Sequence, residues 1–229
     1  MRNRSKRYKT LIDVLKKKKV DGVESIITEI QNTSNAKFVE SVDLSLKINL
    51  KKIKAADASL RTAVELPNGN GKKIKVAVLC DENKLVEAKK SGADIVGSDD
   101  LVQKISSGEI KFDKLICTPS MMSKIGKLGK ILGPKGLMPN PKLGTVSDNL
   151  KTSVEKIKNK LVEIKNDKDG NLGVSIGRKN FPENKIIENY NSLLETIKKE
   201  KPAGIKGDFI LSAFVTSTMG ISYRIKLTR

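Results

Sequence analysis

The hydrophobic period changes twice along this chain, and no other feature constrains its fold as strongly. From Phe38 to Leu50 the period is two. Phe38, Val42, Leu44, Leu46, Ile48 and Leu50 share one side, with Glu40 as the exception, while Ser41, Asp43, Ser45, Lys47 and Asn49 share the other. Successive side chains of a strand point to opposite faces, so this is a half-buried strand of an antiparallel sheet. Leu60 to Leu66 alternates similarly. After the turn Pro67-Asn68-Gly69-Asn70-Gly71 the style is different. An apolar run, Ile74 to Leu79, precedes a short helix, Leu85 to Lys90, stopped by Gly92; the run Ala93 to Val96 precedes a helix, Asp99 to Ser107, capped by Gly108; and Leu115 to Thr118 follows. Compact apolar strands separated by helices indicate parallel β-α-β units.

Ser147 then caps a helix with Leu150, Val154, Ile157 and Leu161 on one face. Beyond it period two returns. Val162 and Ile164, the turn Asn166 to Gly170, and Leu172, Val174 and Ile176 read as a hairpin. Pro182 opens a helix carrying Ile186, Ile187, Tyr190, Leu194 and Ile197, and Phe209 to Val215 and Gly220 to Leu227 are closing strands. Helical spacing also marks Tyr8, Leu11, Ile12 and Leu15, and then Val23, Ile26, Ile27 and Ile30, joined by the charged run Lys16 to Lys19. Antiparallel, parallel, antiparallel is the order of a nested chain. The expected architecture is a discontinuous antiparallel α+β domain, residues 1–68 and 160–229, with an inserted Rossmann-like α/β domain, residues 69–159. A tandem pair of domains is the alternative.

Charge narrows the class of partner. Lys and Arg number 45 against 26 Asp and Glu, a net charge of +19. Such a field attracts polyanions, and a nucleic acid is the best match. A membrane is the weaker option, because no stretch approaches the ~20 apolar residues of a span. The N-terminal residues are basic but lack the apolar core of a secretory signal. With aromatic residues at 3% and no Trp, the chain has few rings on which to stack successive bases, so a folded RNA or duplex fits better than a single strand.

Catalysis is disfavoured. The sequence has no histidine, which removes His-based triads, His general bases and nearly all His-containing metal sites. Gly69-Asn70-Gly71 lacks the third glycine of a dinucleotide fingerprint and precedes a strand. Asp81 and Glu82 sit at a strand end without an evident acid or base partner. Cys80 and Cys117 close apolar runs and read as small core residues in a reducing compartment. No cofactor or metal is expected.

The segment from Ser123 to Val146, SKIGKLGKILGPKGLMPNPKLGTV, holds five lysines, five glycines and no acid. Glycine allows close approach of backbone N–H groups to phosphates and lysine supplies counter-charge, although a flexible basic loop would look the same. Lys127, Lys130, Lys135 and Lys142 are candidate RNA contacts. This stretch resembles the hallmark of the large-subunit ribosomal protein L-one family. The resemblance spans nearly the whole chain, through Lys6-Arg7-Tyr8, Ala36-Lys37-Phe38, Ala93-Asp94 with Val96-Gly97, and Thr216-Ser217-Thr218-Met219-Gly220. Ser5 departs from the glycine of some relatives.

That resemblance implies a non-enzymatic constituent of the large ribosomal subunit, cytoplasmic and monomeric when free. It implies binding to the mobile stalk of large-subunit rRNA, a part in moving and releasing exit-site tRNA, and repression of translation from its own operon mRNA. The RNA-binding positions it implies are Lys37, Phe38, Ser41, Ser212, Thr218, Met219 and Gly220; Thr216 and Ser217 are candidates beside them, because three hydroxyls close to a glycine suit ribose 2′-OH and phosphate contacts. Ser41 and Ser217 stand where threonine is frequent, so each keeps a hydroxyl and loses a methyl. Taken without the resemblance, Thr216 to Gly220 reads as an ordinary hairpin turn and Phe38 as a core residue.

Overall fold

The structure is a computed structural model and describes residues 5–17, 20–50, 60–202, 205 and 207–227. Its contacts divide the chain into two units, Met1–Gly71 with Ile164–Arg229, and Lys72–Glu163.

The first unit is an antiparallel sheet backed by helices. The helices α1 (Lys6–Lys17) and α2 (Val23–Thr33) lead into β1 (Ser41–Ile48). Lys18 and Lys19 of the expected charged connection lie outside the described residues, while Lys16 and Lys17 belong to α1. Then come β2 (Arg61–Glu65), β6 (Leu161–Lys165), which straddles the end of the second unit at Glu163, and beyond it β7 (Asn171–Arg178), α8 (Glu183–Lys199), β8 (Ile210–Ser217) and β9 (Ser222–Ile225). The main sheet has the order β7-β1-β8-β9 with every neighbour antiparallel. The inward residues of β1, namely Val42, Leu44, Leu46 and Ile48, are buried, as are Ile26, Ile27 and Ile30 of α2 and Ile186, Leu193 and Ile197 of α8. These two helices pack on each other and on the neighbouring strands, α2 on β8 and α8 on β7. Each such side chain contributes roughly 1.5–3 kcal/mol on burial, so the alternation dictates which face the helices cover. The opposite face carries Ser41, Asp43, Ser45 and Lys47 of β1 and Ser212, Phe214 and Thr216 of β8, all at least partly exposed.

Two expectations for this unit fail. The strand starts at Ser41, not Phe38, and Glu40 falls on the buried side. The proposed hairpin from Val162 to Ile176 is also absent: β7 pairs with β1, while β6 pairs with β2 in a separate two-stranded sheet. The turn between them is nevertheless tight. The Asp167 carboxylate accepts N–H bonds from Asp169 and Asn171, and Gly170 has a φ of 81° with the Ile48 carbonyl 2.8 Å from where a Cβ would stand. Asn166 accepts from the Leu60 N–H at 2.7 Å and donates its own N–H to the Leu60 carbonyl. That pairing commits the preceding residues to β2 and redirects the chain.

The second unit is α/β. Its sheet has the order β4 (Ile95–Gly97), β3 (Val76–Leu79), β5 (Lys114–Cys117), with parallel pairing. Ala77, Leu79, Leu115 and Cys117 face one core with α4 (Asp99–Ser107), and Val76, Val78, Cys80 and Ile116 face another with α3 (Leu85–Lys90) and α7 (Leu150–Asn159). Burial on both faces is why these strands read as continuous apolar runs. The N-cap of α7 is Asn149, not Ser147; the Ser147 hydroxyl accepts from the Asn149 N–H, and Leu161 lies beyond the helix in β6. Cys80 and Cys117 are free buried thiols.

Candidate nucleic-acid interface

At one end of the main sheet the β8–β9 turn meets the residues that precede β1. The register brings Val42 opposite Ser217, so the chain beyond Ser217 passes Ser41. The Thr218 N–H donates to the Ser41 carbonyl at 3.1 Å, and the Ser41 N–H donates to Thr218 Oγ1 at 3.0 Å. These reciprocal bonds fix Thr218, which remains exposed.

Met219 is held on both sides of its backbone. Its N–H donates to Glu40 Oε2 at 3.0 Å, and its carbonyl accepts from Arg7 Nη2 at 2.6 Å. The other Glu40 oxygen accepts from the Ala36 N–H at 3.0 Å, and Arg7 Nη1 donates to Asn35 Oδ1 at 2.8 Å. One carboxylate and one guanidinium therefore bind together α1, the segment before β1 and the β8–β9 turn. Burial pushes the Glu40 carboxyl up, but the Met219 and Ala36 amides, the Ser217 hydroxyl and the Arg7 charge outweigh it and hold the group below its ordinary value of 4.5. The charged form persists although the residue is 0% exposed.

Gly220 closes the turn with its N–H on the Ser217 carbonyl at 3.1 Å. A Cβ at Gly220 would overlap the Ser217 hydroxyl, so close approach dictates glycine here. Phe38 and Met219 project from this framework at 53% and 50% exposure, so neither is a core residue. For Phe38 the physical reason is position: it precedes the strand and escapes the inward alternation. Lys37 is exposed beside it, and Ser41 and Thr216 are partly exposed. Ser217 is 2% exposed and its hydroxyl is bonded to Glu40, so it shapes the turn from within. Ser212 lies on the open sheet face opposite Lys47, five residues before Ser217 in β8 and hence roughly 17 Å along the strand from the turn.

Glu40 and Arg7 were missed as site residues. The available signal was Glu40 itself, an acid at an inward-facing strand position. Its partners lie too far along the chain for spacing to reveal.

The basic segment belongs to the second unit and is not an irregular loop. It forms α5 (Met122–Gly126), α6 (Gly129–Leu132) and a 3-10 turn at Pro141–Leu143, anchored by buried Ile125, Leu128, Leu132 and Leu143. Apolar residues interleaved with the lysines fold it onto the core, leaving Lys127, Lys130, Lys135 and Lys142 exposed, while Lys124 pairs with Asp99 at 2.6 Å. At the carboxyl end of β3, Asp81 accepts from the Ser120 hydroxyl. Among the described residues no group of three or more His, Cys, Asp or Glu could hold a metal ion, and no helix is long and apolar enough to cross a membrane.

The comparisons with known proteins agree with one another. Residues 30–221 match the model of the ribosomal protein L1p/L10e family. The chain is 51% identical to large ribosomal subunit protein uL1 of Pelagibacter ubique over 97% of both chains. It is 45% identical to uL1c of Trieres chinensis, over 99% of this chain and 98% of that one, and 43% identical to uL1 of Prochlorococcus marinus, over 99% and 96%. With similarity of this extent over an α+β sheet and a parallel α/β unit, the chain belongs to the ribosomal protein L1p/L10e family and is a structural constituent of the large ribosomal subunit, not an enzyme.

Proposed function

We propose that the first unit binds the mobile stalk of large-subunit rRNA, using the end of the sheet where Phe38, Met219 and Thr218 project. The observation that carries this reading is the pairing of exposure with rigidity. Phe38 and Met219 are half exposed, while the Met219 peptide is held by Glu40 on its N–H and Arg7 on its carbonyl. Apolar groups kept in water by a fixed backbone, with hydroxyls and lysine beside them, suit a shaped RNA surface presenting ribose 2′-OH and phosphate groups. The net charge of +19 supplies attraction without sequence preference.

On this reading residues 1–68 and 160–229 form the RNA-binding domain and residues 69–159 an inserted domain. Lys127, Lys130, Lys135 and Lys142 of the insert form a secondary basic contact. The protein, monomeric when free, then assists movement and release of exit-site tRNA from the large subunit and represses its own operon mRNA by binding a similar RNA structure. The test is binding to a transcribed stalk fragment of large-subunit rRNA, with an unrelated hairpin of equal length as competitor. Selective binding by the intact protein supports the reading, and equal affinity for both RNAs refutes it.

A further inference from the structure

We propose that Glu40 is a positioning residue for RNA binding: an acid buried under a polyanion-binding surface, whose removal weakens binding instead of strengthening it. This inference rests on the RNA-binding reading above. Long-range electrostatics alone predicts the opposite, because deleting a negative charge from a basic protein raises its attraction for phosphates.

Glu40 accepts from the Ala36 and Met219 amides at 3.0 Å each and from the Ser217 hydroxyl, and it faces the charge of Arg7. Those partners come from segments far apart in the chain: the helix that starts at Lys6, the approach to β1, and the β8–β9 turn. Ala36 leads directly to Lys37 and Phe38, and Met219 sits between Thr218 and Gly220, so each amide that Glu40 holds adjoins a projecting candidate RNA contact. The carboxylate is fully buried and touches no RNA itself. Hydrogen bonds to a charged acceptor are the strong ones, and leaving buried N–H donors without one is costly. A glutamine in this place offers one carbonyl oxygen and turns an NH2 toward at least one amide donor. The turn and the approach to β1 then lose their common anchor, and Phe38 and Met219 lose their fixed spacing.

The test compares wild type, Glu40→Gln and Glu195→Gln, whose exposed carboxylate lies on α8 away from the turn. Binding to the stalk rRNA fragment is measured over a range of salt concentrations, with urea unfolding and amide NMR spectra of each free protein. Glu40→Gln is expected to bind about tenfold or more weakly. Its log-affinity versus log-salt slope should be unchanged, because no phosphate contact has been removed. The Met219 and Ala36 amide proton resonances should move upfield. Glu195→Gln should bind as wild type or slightly tighter. A folded Glu40→Gln protein that binds as well as wild type, or tighter, overturns the inference. Should Glu40→Gln fail to fold, Ser217→Ala decides. It removes one donor to the carboxylate, and a loss of about threefold supports the inference while unchanged affinity overturns it. Wild type that ignores the RNA refutes the RNA-binding reading instead, a result separable from any behaviour of the variants.

Discussion

Gly220→Ala should destabilise the first unit, and Ser217→Ala should rescue it. The new Cβ would overlap the Ser217 hydroxyl, while the Ser217 Cβ would stand at 3.4 Å, an ordinary contact. Relief of the clash requires the buried hydroxyl to leave Glu40, to which it is bonded. A hydrogen bond to a charged group contributes about 1.5–3 kcal/mol, so Gly220→Ala should cost about 2–3 kcal/mol. Ser217→Ala alone should cost about 1–2 kcal/mol, since Glu40 keeps its two amide donors. In the double variant the obstructing atom is gone, and the total should stay near that of Ser217→Ala. The coupling between the sites is then about 2 kcal/mol, measurable by urea unfolding of the four proteins followed by circular dichroism. Costs that add to within ~0.5 kcal/mol would refute the close-approach argument.

Phe38→Ala and Met219→Ala should each weaken binding to the rRNA fragment by about 1–3 kcal/mol while leaving the urea midpoint unchanged, because both side chains are half exposed; a fall in stability equal to the loss of affinity would contradict this. Affinity should fall steeply as salt rises, and a slope near zero would exclude a role for the lysine charge in binding. Because the folded Glu40 carboxyl is held below its ordinary 4.5, its stabilisation is complete above about pH 4.5 and is lost as pH falls through the folded value, so Glu40→Gln should flatten the stability profile of the first unit in that acid range. Replacing residues 72–159 by a short Gly/Ser linker, which keeps β6 whole, should leave a protein that unfolds cooperatively and binds the rRNA within about tenfold, or ~1.4 kcal/mol, of the intact chain; a chain that does not fold would show that the first unit depends on the second.

Local pattern was enough for the elements whose cause is local. The helix Asp99–Ser107 ends where Gly108 adopts a left-handed φ of 77°, and both the periodicity and the glycine are written within ten residues. The parallel strands were legible because double burial makes them uniformly apolar. Pairing between distant strands was not. A turn between two alternating segments looks like a hairpin whether its strands bond to each other or, like β6 and β7, to β2 and β1. Periodicity also could not show that Phe38 lies outside the strand, since an apolar residue in phase with Val42 fits the stripe until the sheet's end is known. Burial of Glu40 depends on Arg7 and Met219, whose positions relative to it are set only by the assembled sheet. The basic segment hid its order for a different reason: its glycines suggested mobility, while Ile125, Leu128 and Leu132 fasten it to the core.

The central place of β1 has a consequence for the order in which the protein is made. Its neighbours β7 and β8 begin at Asn171 and Ile210, so synthesis must run far past Ile48 before either edge can pair. At ~5–20 residues per second, the strand waits on the order of 6–25 seconds for its first partner. The parallel unit, contiguous from Lys72 to Glu163, emerges whole during that interval. The strand that waits alternates apolar residues with serine, aspartate and lysine, and its polar side, Ser41, Asp43, Ser45 and Lys47, disfavours stacking with another nascent chain. Thr218 and Met219 join Ser41 and Glu40 only after synthesis has passed residue 219. A chain built this way completes the turn at Thr218 and Met219 last, so the end of the sheet proposed above to bind RNA is absent from every shorter nascent chain.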